Sequence, residues 1–191
     1  MSHILTSLIV LPLACAAVTY FSGRSETSGA VAARWVALLS TLAIFALSLT
    51  LLISFDGASA EFQFTEKAPW FAGYDINYHL GIDGISLWLV LLTTFLMPIC
   101  VACSWKSIDK RVGEFMALFL ILESLVIGTF VSLDLLLFYL FFEAVLIPMY
   151  LIIGIWGGKN RIYAAYKFFL YTLAGSVLFL LAVLYLYFTF N

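Results

Sequence analysis

Apolar residues run along this chain in long blocks, interrupted by short polar stretches. On a window of about 19 residues, six blocks stand out: Ile4–Phe21, Ala32–Phe55, Ile85–Trp105, Val112–Val131, Leu135–Trp156 and Tyr163–Phe190. About 20 apolar residues cross the hydrocarbon of a bilayer as a helix, so each block is predicted to be a membrane span. Pro12, Pro98 and Pro148 lie inside the first, third and fifth. Membrane helices tolerate proline when neighbouring groups satisfy the freed carbonyl. The last block is too long to be both straight and untilted, so its ends are expected in the headgroup layers. The opening MSHILTSLIVLPLACAAVTYF lacks the basic start of a signal peptide and is read as a retained first span. The expected fold is all-α, a polytopic membrane protein of six helices. The one contrasting pattern is EFQFT at Glu61–Thr65, whose alternation predicts a short strand or hairpin in the loop between spans two and three.

Composition agrees with that reading. The chain of 191 residues is 64% hydrophobic and 10% charged, whereas soluble domains carry about 25% charged residues. Eighteen Phe and ten Tyr suit lipid-facing and interfacial surfaces. Among them Trp70, Phe71, Tyr74 and Tyr78 are expected to pack at the interface. A net charge of −2 without a basic cluster argues against a nucleic-acid or polyanionic partner. Three cysteines, Cys15, Cys100 and Cys103, make no disulfide framework. The Cys100–Cys103 spacing is half of a metal site with no second half, so no metal is expected. No phosphate loop, nucleophile elbow or haem ligand set is present.

The charges do set an orientation. Arg24, Arg34, Lys106, Lys110, Arg111, Lys159, Arg161 and Lys167 lie in or beside the loops after spans one, three and five. Only Lys67 lies elsewhere, in the loop Asp56–Asp83 that also holds Asp56, Glu61, Glu66, Asp75 and Asp83. The positive-inside rule then places both termini outside.

Few residues in the spans can carry chemistry. Glu143 is the one formal charge in Leu135–Trp156, and Pro148 follows five residues later. Pro148 has no N–H for the carbonyl of Ala144, so a carboxyl and a free backbone acceptor lie together near mid-membrane. An ionisable group there is costly and points to a proton or cation path. Glu123 sits in the fourth span at a matching distance from the turn near Leu133, about 15 Å along its helix. Facing carboxyls at that depth could not both ionise cheaply, although a glutamate merely hydrogen-bonded to a neighbouring helix is the plainer alternative. Lys167 lies about two turns into the last span, where snorkelling accounts for it. Its axial offset from Glu143 is about 9 Å, too far for a direct ion pair in straight helices but within reach of a water-linked relay. Tyr139, Tyr150 and Tyr171 could extend hydrogen-bond chains. Asp83 and Asp134 read as helix N-caps, and His3 and His79 as solvated residues of a terminus and a loop. Gly128, Gly154, Gly175 and Ser176 mark helix faces that suit close packing.

GIDGISLWLVLLTTFLMP (Gly81–Pro98), FYLFFEAVLIPMYLIIGIWGG (Phe138–Gly158) and RIYAAYKFFLYTLAGS (Arg161–Ser176) resemble the antiporter-like M subunits of respiratory complex I. Their mitochondrial counterpart is subunit 4 of NADH–ubiquinone oxidoreductase. With LILES, these motifs are most similar to the alphaproteobacterial branch and its mitochondrial descendants. The resemblance spans nearly the whole chain and implies proton translocation driven by electron transfer from NADH to quinone. The family's essential fifth-helix glutamate falls on Glu143, a branch-specific acid on Glu123 and a recurrent sixth-helix lysine on Lys167. The implied redox groups (NADH, FMN, iron–sulfur clusters and quinone) belong to other subunits, and this chain is expected to bind none of them. Implied partners are other membrane-arm subunits, the bilayer of a bacterial or mitochondrial inner membrane, and further helices of the same subunit. Such proteins are built on inverted repeats that begin at the fourth helix. Residues 1–111 are then three leading helices with the loop 56–83, and 112–191 open the translocating repeat. Family members are longer, so the chain is expected to be a fragment or one half of a split subunit. An autonomous small cation or proton transporter and a purely structural membrane subunit are the other two readings.

Overall fold

In the computed structural model, residues 3–24, 29–59, 61–71 and 76–190 are described. Helices form where the apolar blocks lie: α1 Ile4–Ser22, α2 Gly29–Ser54, α3 Gly84–Cys103, α4 Val112–Val131, α5 Leu135–Trp156 and α6 Arg161–Phe190. All six are long and apolar enough to cross a membrane. Two begin on aspartate caps as predicted. Asp83 accepts from the amide of Ser86 at 2.7 Å, and Asp134 from those of Leu136 at 2.9 Å and Leu137 at 3.2 Å. Each carboxylate satisfies first-turn N–H groups that have no partner within the helix. Pro12, Pro98 and Pro148 lie inside helices that run on through them.

The bundle is built around α4, which packs against α1, α2, α3 and α5, while among the described residues α6 touches no helix but α5. In their most apolar stretches, 50% of α4 is buried within the protein and 11% of α6, so α6 is the periphery. Close approach at the basic end relies on two glycines. A Cβ on Gly23, after α1, would come within 2.5 Å of the Cα of Gly113 in α4. Hydroxyls tie the interior elsewhere. Ser124 donates to the carbonyl of Ile9 at 2.6 Å, and Ser48 and Thr94 share a hydrogen bond of 2.8 Å between α2 and α3. Without water to compete, such bonds contribute about 1 kcal/mol each.

The loop after α2 folds into an antiparallel hairpin, β1 Gln63–Phe71 and β2 Ile76–Ile82. It is longer than the EFQFT alternation implies, and it begins two residues later. The register shifts between Gln63 and Glu66, where Phe64 adopts φ 54°. Such a bulge re-aims the side chains that follow it, and Glu66 points into the protein rather than out of it. Glu66 is buried and accepts from the amides of Leu5 at 2.9 Å and Thr6 at 3.2 Å, and from the Thr6 hydroxyl. A residue of the hairpin thus caps α1. His79, expected in a loop, lies in β2, and its carbonyl accepts from the amide of Leu133 at 2.9 Å. Asp134 also accepts from Asn77 at 3.3 Å, so the hairpin grips the turn between α4 and α5 as well. Tyr78 does more than pack at an interface: its hydroxyl meets that of Thr6 at 3.1 Å, and burial raises its pKa above 10.0. Tyr74 and Asp75 lie outside the described residues.

Candidate proton-transfer site

The α4–α5 turn puts the two intramembrane acids at one level. Glu123 lies eight residues before the end of α4 and Glu143 eight after the start of α5, about 12 Å along each helix. They do not face each other. On α4, Gly128 meets the ring of Phe141, so closely that a Cβ at 128 would come within 2.6 Å of it. Glu123 precedes Gly128 by five residues and is turned from it by about 140° at 3.6 residues per turn. Glu143 is two residues past Phe141, and is turned about 160° from it. Each acid therefore points away from the α4–α5 contact.

Glu123 shares its face of α4 with Met116, Leu120 and Ile127, all fully buried, as it is itself. Neither carboxyl oxygen has a hydrogen-bond partner among the described residues. Burying an unpaired charge is one of the most costly acts of a fold, so the protonation state of Glu123 is bound to the energy of the bundle interior.

Glu143 is only half-buried, on the side of α5 that faces α6. Its Oε1 is buried and unpartnered among the described residues. Tyr139 stands one turn earlier on the same helix, and its phenol interacts with both Glu143 and the hydroxyl of Ser176 in α6. Phe179, one turn beyond Ser176, packs on Phe138 and Tyr139 with ring centroids 6.1 and 6.3 Å apart. Ser176 is buried and also donates to the carbonyl of Leu173 at 3.0 Å. The structure thus assembles Tyr139, Glu143 and Ser176 into a polar group between two helices. Sequence reasoning left Tyr139 level with Tyr150 and Tyr171, and its i, i+4 spacing from Glu143 is the signal that would have set it apart. Nothing in sequence tied Ser176 to them, because it lies on another helix.

Lys167 is not brought to this group. It is exposed, with its amine 5.6 Å from the ring of Tyr163 and 5.8 Å from that of Tyr171, and it pairs with no carboxylate among the described residues. Pro148 is buried five residues beyond Glu143, and α5 continues past it. Among the described residues, no three His, Cys, Asp or Glu side chains are placed to hold a metal ion.

Two family models divide the chain. Residues 8–138 match NADH-ubiquinone oxidoreductase chain 4, amino terminus, and residues 132–191 match the transmembrane region of NADH:quinone oxidoreductase and Mrp antiporters. NADH-quinone oxidoreductase subunit M of Rhodobacter capsulatus is 55% identical over 188 residues, covering 98% of this chain and 36% of the relative. NADH-ubiquinone oxidoreductase chain 4 of Arabidopsis thaliana is 48% identical over 185 residues, 96% of this chain and 37% of the relative. In the solved structure of respiratory complex I from Thermus thermophilus with bound NADH, a chain superposes with a TM-score of 0.79 at 30% identity. That match covers 94% of this chain and 35% of the other. The chain spans about a third of the length of the curated relatives it matches.

Proposed function

Because this chain belongs to the NADH-ubiquinone oxidoreductase chain 4 family, we propose that it supplies the first part of a proton-translocating membrane-arm subunit of an NADH-quinone oxidoreductase. Its setting is a bacterial or mitochondrial inner membrane. Electron transfer from NADH to quinone takes place on NADH, FMN, iron–sulfur clusters and quinone held by other subunits, and this chain contributes proton handling alone. Residues 1–111 act as the supporting helices and hairpin, and residues 112–191 as the opening helices of the translocating repeat. Other membrane-arm subunits, and further helices of the same subunit type, cover the exposed sides of α5 and α6.

Glu143 is the group that takes up and releases the proton. The observation that carries this is its placement: one carboxyl oxygen is buried without a partner among the described residues, beside a phenol that also reaches Ser176 on the next helix. A carboxyl, a phenol and a hydroxyl in series can pass a proton by exchanging donor and acceptor roles, which is how side chains act in general acid–base steps. The path leads from α5 toward α6. Glu123 is a second buried acid, which stores a proton on the other side of α4. Lys167 biases Glu143 through its field and not by contact. A redox event elsewhere acts here by moving charge near Glu143, because a local change in potential alters how firmly the proton is held.

The test is Glu143→Gln in the assembled complex, with assembly checked on native gels and with proton uptake and NADH-driven quinone reduction measured in vesicles. Glutamine keeps the shape and cannot ionise. We expect full assembly with most of both activities lost, and Glu143→Asp to retain part of them. A variant that assembles fully and pumps at the wild-type rate makes Glu143 a structural residue.

A further inference from the structure

At the Lys/Arg-rich end of the bundle a groove of about 450 Å³ runs between α1, α4 and α5. Its walls are apolar, formed by Leu13 and Ala17 of α1, Ala117 and Ile121 of α4, and Leu151 and Ile155 of α5. Its mouth is polar. Tyr20, Arg111 and Glu114 line it, and the guanidinium of Arg24 lies 5.4 Å from the centre of the Tyr20 ring. The Nε of Arg111 donates to Glu114 at 2.9 Å, which offsets one positive charge and, among the described residues at the mouth, leaves that of Arg24 in excess.

The length of the groove identifies its occupant. From Phe21 at the mouth to Leu13 at the far end, it follows eight residues of α1, about 12 Å. One leaflet of hydrocarbon is half of roughly 30 Å. A partner helix crossing the membrane needs a groove through both leaflets, whereas this one stops at mid-bilayer. A phospholipid has the matching shape, with a chain one leaflet deep and a charged head at the surface. We infer that the groove holds an acyl chain of an anionic phospholipid from the leaflet at the basic end, with its phosphate at Arg24 and Arg111 and within reach of the Tyr20 hydroxyl. Basic pockets between membrane helices on the positively charged side attract such headgroups, and tyrosine is at home at that level.

The full chain in detergent, titrated separately with dioleoylphosphatidylglycerol and dioleoylphosphatidylcholine and followed by native mass spectrometry, tests this. One phosphatidylglycerol is expected to bind in preference to phosphatidylcholine, with Arg24→Gln weakening it about fivefold and narrowing that preference. Ala17→Trp, at an exposed position that fills the groove, is expected to abolish the bound lipid. Leu39→Trp, on the exposed side of α2, is expected to leave it unchanged. Equal affinity for the two lipids, or wild-type binding by either Ala17→Trp or Arg24→Gln, overturns the proposal. So does a chain dimer that disappears in Ala17→Trp while no lipid is retained by the wild type, since the groove then holds protein.

Discussion

The ring of Phe141 lies so close to Gly128 that a Cβ at position 128 would come within 2.6 Å of it. This contact sets the rotation of α5 against α4 and turns Glu143 toward α6. Gly128→Leu is therefore expected to destabilise the fold by about 1–3 kcal/mol through overpacking and to disturb the Tyr139–Glu143–Ser176 group. Gly175→Leu, where an added Cβ meets open space, should be close to neutral. Unfolding midpoints in detergent, taken for both variants side by side, distinguish them.

Tyr139→Phe and Ser176→Ala each remove one member of the polar group beside Glu143. Each is expected to slow proton uptake by about fivefold, the equivalent of one lost hydrogen bond, while the complex still assembles. Unchanged rates in both would mean that the proton does not pass through this group.

Glu123 separates stability from function. Glu123→Met removes two buried oxygens that have no partner among the described residues and is expected to raise stability by about 1–3 kcal/mol. Glu123→Gln should reduce pumping, and by less than Glu143→Gln does. A Glu123→Met protein less stable than the wild type would show that the carboxyl is satisfied in the assembled protein.

Glu66 caps α1 from a strand some sixty residues away in the chain. Glu66→Ala strands the amides of Leu5 and Thr6 and is expected to cost about 1–3 kcal/mol. Hydrogen exchange at those two amides should accelerate, along with loosening of the hairpin, whereas Glu66→Gln should retain part of the protection.

Asp83 gives a pH dependence with a definite sign. Its bond from the Ser86 amide lowers its pKa below the ordinary value of 3.8, so the cap favours the folded state whenever the carboxylate is ionised. That contribution is complete above the ordinary value and is lost as the pH falls through the lowered one. Losing the cap altogether costs about 1 kcal/mol. Exchange at the Ser86 amide should rise only below about pH 4 and should be fast at every pH in Asp83→Ala.

Sidedness follows from the basic loops. With Cys15, Cys100 and Cys103 replaced, single cysteines at Lys67 and at Lys110 should react with a membrane-impermeant maleimide from opposite sides of the membrane. Labelling of both from one side would contradict the charge asymmetry.

The number and order of the helices, and their limits to within three residues, could be read from residues alone, because continuous apolar blocks of about twenty can satisfy their backbone in lipid only as helices. Asp83 and Asp134 were legible as caps for a similar reason, since a cap bonds amides two or three residues away. The hairpin was only half legible: Pro69 and the bulge at Phe64 break its alternation, and Glu66 finds its partners on α1. The rotation of each helix was not legible at all. In a soluble protein an apolar stripe tells which face turns inward, but lipid is as apolar as a helix interior and sorts nothing. Small residues were the remaining hint and an unreliable one, for Gly128 meets Phe141 while Gly175 meets nothing among the described residues. That Glu123 and Glu143 share a depth came from counting residues to a turn. That they point apart, and that Glu143 meets Tyr139 and Ser176, came from the fit of Phe141 over a missing side chain and from the seat of α6 on α5.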